Sequence, residues 1–399
     1  MRLQTGFRHI GKEDRQRFAT DGYLVIDDPC PLELLDALRT EFESMFRDAW
    51  DPGPQVDVDG VMYDHYTGRP GEWHWHRIKN AWKISDNARA VALNPTVLGI
   101  IEDLFERKVM PFQTLNFPIG TQQREHSDSF HFQSDPPGNM CGVWIALEDM
   151  DMDNGPLIYY PGSHKLPIPT WPEIEAEMGE TVLKEDYPTH NDFLMARSAQ
   201  YERYCQRLIE RENLKPEYGT VRKGQAVLWA PNLLHGGAPQ NDQSRTRHSQ
   251  VTHYFLEGCR VFTPLHTEGD HNFWNYPEWI RDPVPTYSPD LLRDTIEAHV
   301  PAGSNVIVLA QGNELPELAG RATSHFPQDE QGNFVHLPDD AKRIEHLEEL
   351  RAQGAQFLVV PKQQLGFLEY GMPALQEHLE DRYTAVVRDG AVCALYPLD

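Results

Sequence analysis

Cysteine is scarce and scattered in this chain of 399 residues. The five (Cys30, Cys141, Cys205, Cys259 and Cys393) lie far apart, form no CxxC pair and are odd in number. A disulfide framework or a structural zinc site is therefore not expected, and a reducing cytoplasm fits this usage best. Long apolar runs are missing too. No stretch approaches the roughly 18 residues that a membrane-spanning helix needs, and the opening MRLQTGFRHIGKEDRQRF lacks the apolar core of a secretory signal. Positive charge is in short supply: 36 Lys and Arg against 61 Asp and Glu leave a net charge of -25. Such a surface repels phosphate backbones and anionic bilayers, so nucleic acid is not an expected partner. There is no internal repeat, no low-complexity tract and no GxGxxG loop. Dinucleotide binding is thereby poorly supported.

What is present is enough apolar material, 40% of residues, to fold as a globule with a large core and more than one domain. Residues 12–50 read as helix, short strand (Tyr23, Leu24, Val25) and a second helix opened by Pro31. That helix carries Leu34, Leu35, Leu38, Phe42 and Phe46 on one stripe. Residues 51–82 read as irregular, and 94–105 as a short helix. From Phe112 to Phe262, short aromatic and β-branched runs alternate with turn clusters such as SDPPGN and DMDNGP, the texture of an antiparallel sandwich. A polar interval, 166–216, interrupts it as an insertion with helical stretches around Ile174–Met178 and Ala199–Ile209. Beyond a Pro- and Trp-rich connector, strand 305–310, helix 342–353 and strand 356–360 predict a small α/β domain. The expected boundary lies near residue 300, giving domains 1–299 and 300–399.

The chemistry-bearing residues fall in the sandwich. On a strand, positions i and i+2 face one way, so His126-Ser127-Asp128 would present an imidazole and a carboxylate to one point. His235, in LLHGG after a strand-like run, could bring a second imidazole. Two His and one carboxylate are the face that holds non-haem Fe(II) with positions left open. The bare motif is weak: with 18 histidines, His-x-Asp arises readily by chance, and a twin, His190-Asn191-Asp192, occurs in the insertion. A surface His at a turn and a His bonded to backbone before Gly-Gly are the bland alternatives. Downstream, RTRHSQVTHYF read as a strand puts Arg247, Ser249, Val251 and His253 on one side. A guanidinium beside a hydroxyl makes a carboxylate clamp.

These stretches, HSDSFHF, MCGVWIALEDMDMDNGPLIYYPGSHKLP, GQAVLWAPNLLHGG and TRHSQVTHYF, resemble the phytanoyl-CoA dioxygenase family over about residues 10–265. The resemblance implies a mainly β fold with flanking helices, a double-stranded β-helix or jelly roll related to the cupins. It implies Fe(II) held by His126, Asp128 and His235. It implies 2-oxoglutarate bound by Arg247 and Ser249, with Gln113 and Asn116 as further contacts, and O₂ as oxidant. Asp128 stands where halogenating relatives carry a small residue, which favours hydroxylation. The implied reaction oxidises an unactivated C–H of a small molecule (lipid-like, secondary-metabolite or glycan precursor) and releases succinate and CO₂. A non-catalytic metal-binding jelly roll and a cupin-type hydrolase or isomerase are the alternatives.

Two regions remain. GRPGEWHWHRIKNAWK (68–83) concentrates Trp, His and basic residues in an acidic chain. It reads either as a packing loop or as a cover over the site, with Trp75 and Arg77 touching substrate; Trp144 could line the same pocket. The C-terminal pattern resembles an accessory α/β module appended to some bacterial glycosyltransferases and methyltransferases, which suggests a protein partner there.

Overall fold

Apolar residues at helical spacing shape the N-terminal part of the computed structural model, which describes residues 10–47, 50, 53–58, 61–63, 77–267, 269, 271–310 and 315–399. Helix α1 (Lys12–Asp21) leads into β1 (Tyr23–Ile26) and α2 (Leu32–Arg47). Leu35, Leu38, Phe42 and Met45 of α2 are buried; the side chain of Phe46 lies outside the described residues. Then come β2 (Gln55–Val58), β3 (Val61–Tyr63), β4 (Arg77–Lys79), α3 (Asp86–Ala92) and α4 (Pro95–Phe105). Asn94 caps α4 by accepting from the backbone N–H of Thr96 and Val97, with Pro95 at its first position.

The sandwich follows with β5 (Val109–Phe117), β6 (Gln133–Asp135), β7 (Met140–Ala146) and β8 (Leu157–Tyr159). Helices α5 (Trp171–Met178) and α6 (His190–Arg211) come next. Strands β9 (Glu217–Tyr218), β10 (Ala226–Trp229), β11 (His235–Gly237) and β12 (Ser249–Leu256) complete this part of the chain. One sheet has the order β1-β10-β7-β12-β5-β4-β2-β3 and the other β11-β8-β9. All pairings in both are antiparallel. Alternation along the strands separates two cores. Cys141, Val143, Ile145, Ala226, Leu228 and Tyr254 face α2, α3 and α4. Trp144, Ala146, Val227, Trp229, Val251 and Phe117 face inward with Tyr159 of the smaller sheet. This is a jelly roll with helices on one face, and α5 and α6 form the insertion between β8 and β9.

The chain divides into two units, Met1–Cys259 with Ile280–Asp282, and Arg260–Trp279 with Pro283–Asp399. The second unit contains β13 (Arg260–Phe262), α7 (Pro289–His299), β14 (Asn305–Leu309), β15 (Ala322–Phe326) and α8 (Asp340–Ala352). It continues with β16 (Phe357–Pro361), α9 (Lys362–Gly371), α10 (Pro373–Arg382), β17 (Val387–Asp389) and β18 (Cys393–Pro397). Its sheet has the order β15-β14-β16-β18-β17, with β14 parallel to β15 and β16. The expected boundary near residue 300 is too late. Leu292, Ile296 and Val300 pack with Val306 and Val308 of β14, and Tyr276 packs with Ile307 and Leu309. The supposed connector is part of the second unit's core. All five cysteines are free and buried. Among the described residues no helix is long and apolar enough to cross a membrane.

Candidate metal centre

His126 and Asp128 do not share a strand face, contrary to the sequence-based expectation. His126 forms one antiparallel bridge with His235, and Asp128 opens a single turn of 3-10 helix, Asp128–Phe130. The turn folds the carboxylate back beside the bridge. Each bridging backbone N–H donates to the other residue's carbonyl at 2.9 Å. Glycine follows His235 because the Gln123 carbonyl passes close: a Cβ at Gly236 would stand 2.9 Å from it. Nδ1 of His126 meets the Arg124 carbonyl at 2.9 Å, and Nδ1 of His235 meets the Leu233 carbonyl at 3.0 Å. A ring nitrogen that donates to a carbonyl leaves Nε2 with its lone pair. One ligand atom from each of His126, Asp128 and His235 lies within 4.8 Å of the others, and all three residues are buried.

Burial, with the nearby His235 and His131, pushes His126 down to about 3. Burial alone would raise Asp128, but the imidazoles of His235 and His253 outweigh it and hold the carboxyl below its ordinary range. Neutral imidazole and ionised carboxylate are the forms a metal requires. Asp128 Oδ2 accepts from Trp229 Nε1 at 2.7 Å and lies 3.6 Å from His253 Nε2. Behind Asp128, Tyr201 of α6 shares a 2.8 Å hydrogen bond with Ser127 Oγ and accepts from the Ser127 backbone N–H at 3.3 Å. Its ring stacks on Phe130 at 3.7 Å.

Arg247 precedes β12 rather than lying within it, its backbone N–H donating to Pro118 at 2.8 Å. Its side chain is 1% exposed, and burial lowers its pKa to about 10. Nε and Nη1 of Arg247, Ser249 Oγ and Trp144 Nε1 are buried without a hydrogen-bond partner. The guanidinium carbon sits 5.6 Å from the Trp144 ring centre. Trp144, expected at the substrate, is wholly buried and faces inward beside Arg247.

The remaining expected residues divide. Gln113 pairs with His253 in the β5–β12 register and meets its Nδ1 at 3.2 Å. Asn116 belongs to the opposite face: it donates to Gln250 at 2.9 Å, which donates to Ala88 of α3. One residue's difference in register parity turns it from the site. Arg77 is half-buried at the start of β4. Its charge reaches His131, whose pKa burial and Arg77 together bring down to about 4 against the pull of Asp128. Trp75 and the rest of residues 68–76 lie outside the described residues. The twin motif at His190 opens α6, where the Thr189 hydroxyl accepts from Asp192 N–H as a helix cap. Sequence reasoning missed Trp229 and Tyr201. Trp229 is signalled only as the last residue of AVLW, and nothing in the insertion singles out Tyr201.

A family model, phytanoyl-CoA dioxygenase (PhyH), matches residues 18–248, more than half of the chain. The chain belongs to the phytanoyl-CoA dioxygenase family. It is 24% identical over 266 residues to the peroxisomal phytanoyl-CoA dioxygenase of Rattus norvegicus, covering 64% of this chain and 71% of the relative. It is 30% identical over 146 residues to phytanoyl-CoA dioxygenase domain-containing protein 1 of Danio rerio, covering 37% and 43%. Among solved structures it is similar to EctD from S. alaskensis with bound Fe, at TM-score 0.47 and 18% identity over 67% of this chain and 84% of that one. The family model's match ends at residue 248, before the second unit begins at Arg260.

Proposed function

We propose that this chain is an Fe(II)- and 2-oxoglutarate-dependent oxygenase that hydroxylates an unactivated C–H bond of a small molecule. The balanced reaction takes substrate, 2-oxoglutarate and O₂ to hydroxylated substrate, succinate and CO₂. The observation that carries the reading is the pairing of a buried His126, Asp128 and His235 cluster with buried donors that lack acceptors. Each unmet buried donor costs on the order of 1–3 kcal/mol. A dicarboxylate reaching from the cluster to Arg247 would meet the guanidinium with a charge-assisted hydrogen bond. Trp144 Nε1 and Ser249 Oγ would complete that end. Trp144 is thereby assigned to the co-substrate rather than the substrate.

When bound, the metal supplies activation of O₂ coupled to decarboxylation of the co-substrate. The chain's own residues orient and exclude. His126 and His235 are aimed by their backbone acceptors, and Arg247 fixes the distal carboxylate. The surrounding aromatics keep water out, and no side chain needs to accept a proton. A protein that held metal only for its structure, or a cupin-type hydrolase, would have no use for an unsatisfied guanidinium in the core. Arg77, whose charge reaches His131, is the described residue we assign to an anionic group of the substrate. The test is anaerobic addition of Fe(II) and 2-oxoglutarate to the full chain. A weak visible charge-transfer band, then succinate on admission of air, is expected. Absence of both overturns the reading.

A further inference from the structure

The two residues that flank Asp128 Oδ2 come from one row of the large sheet. His253 of β12 pairs with Gly142 of β7, and Gly142 pairs with Trp229 of β10. Directly paired residues share a face, so His253 and Trp229 rise on either side of Gly142. The indole leans across that gap. A Cβ at Gly142 would run into Cε2 and Cζ2 of Trp229 and come within 2.7 Å of its Nε1. Lying there, the indole donates to Asp128 Oδ2 at 2.7 Å, and its ring centre is 5.1 Å from that of His235. His253 puts Nε2 at 3.6 Å from the same oxygen, with its Nδ1 held by Gln113 at 3.2 Å. Asp128, Trp229 and His253 are all at least nine-tenths buried. The other oxygen, Oδ1, is left toward His235 Nε2 at 3.8 Å.

We infer that Trp229 is a positioning residue that restricts Asp128 to one metal-facing oxygen, and that position 142 must be glycine to admit the indole. This rests on the metal reading above. With Oδ2 occupied by a donor in dry surroundings, the carboxylate can neither rotate about Cβ–Cγ nor offer both oxygens to one ion. A position in the coordination sphere is thereby kept open for the co-substrate or O₂. Such outer partners typically change metal affinity by about 10- to 100-fold.

The probe is Co(II), titrated anaerobically into the full chain and read by its visible spectrum, since band shape and intensity follow coordination number. Trp229→Phe keeps an aromatic ring but removes the donor. It should weaken Co(II) binding about tenfold and change the spectrum as the second oxygen enters the coordination sphere. Gly142→Ala, which displaces the indole without altering it, should reproduce both effects. If Trp229→Phe fails to fold, Gly142→Ala decides alone. Wild-type affinity and spectrum in the folded variants, while His126→Ala abolishes binding, would overturn this inference and leave the metal reading standing. No Co(II) binding by the wild-type protein would overturn both.

Discussion

His126 and His235 face each other across a single antiparallel bridge, and each turns its Nδ1 to the carbonyl two residues before it, at Arg124 and Leu233. The repeated local geometry brings both Nε2 atoms to one point beside Asp128. Replacing either histidine by alanine removes a ligand outright. Fe(II) affinity should fall by more than about a hundredfold, beyond the loss typical of an outer partner. His190→Ala alters only the start of α6 and should leave affinity unchanged. Anaerobic calorimetric titration measures both. Retained binding in His126→Ala would remove the bridge from the site.

Arg247 supplies the next test. A charge-assisted hydrogen bond to a carboxylate is worth on the order of 1.5–3 kcal/mol. Arg247→Ala should therefore raise KM for 2-oxoglutarate by about 10- to 100-fold while leaving Fe(II) affinity unchanged. Arg247→Lys should recover little, because a point charge does not replace the planar fork. Succinate release against 2-oxoglutarate concentration gives the answer. An unchanged KM would mean that the buried guanidinium serves packing alone.

How much of this was legible in the sequence depends on whether the signal was local. The alternation of β7, β10 and β12 reveals the sandwich, and the strand–helix–strand pattern after residue 300 reveals the α/β unit. Both follow from periodicities a single strand or helix must obey. The second unit's true start was hidden, because Tyr276 and Leu292 join its core through contacts that no local pattern encodes. The triad was legible as residues but not as geometry. A strand face was expected, whereas a bridge and a 3-10 turn do the work. Asn116 shows the cost of unknown register: it stands three residues from Gln113 and faces the opposite side.

Tyr201 ties the helical insertion to the metal loop. Its hydroxyl meets both the Oγ and the backbone N–H of Ser127, between two ligands. Tyr201→Phe keeps the stack on Phe130 but leaves a buried N–H unmet, which costs about 1–3 kcal/mol. The metal-free protein should unfold at lower urea concentration, and Co(II) affinity should drop a few-fold as the loop loosens. If neither changes, α6 covers the loop without holding it.

Glu369 makes the stability of the second unit depend on pH. Burial pushes its carboxyl up to about 7, outweighing a hydrogen bond with the Tyr276 backbone that acts the other way. The ordinary value is 4.5, so between these limits the folded chain keeps a proton that the unfolded chain has released. Stability from this group is present in full below the unfolded value and is lost as pH rises through the folded one. Glu369→Gln retains the neutral shape at every pH. The variant and the wild type should unfold at similar urea concentrations at pH 4.5, and the variant should be the more resistant at pH 8. A difference between the two proteins that stayed constant across that range would show that Glu369 ionises as freely in the folded unit as in the unfolded chain.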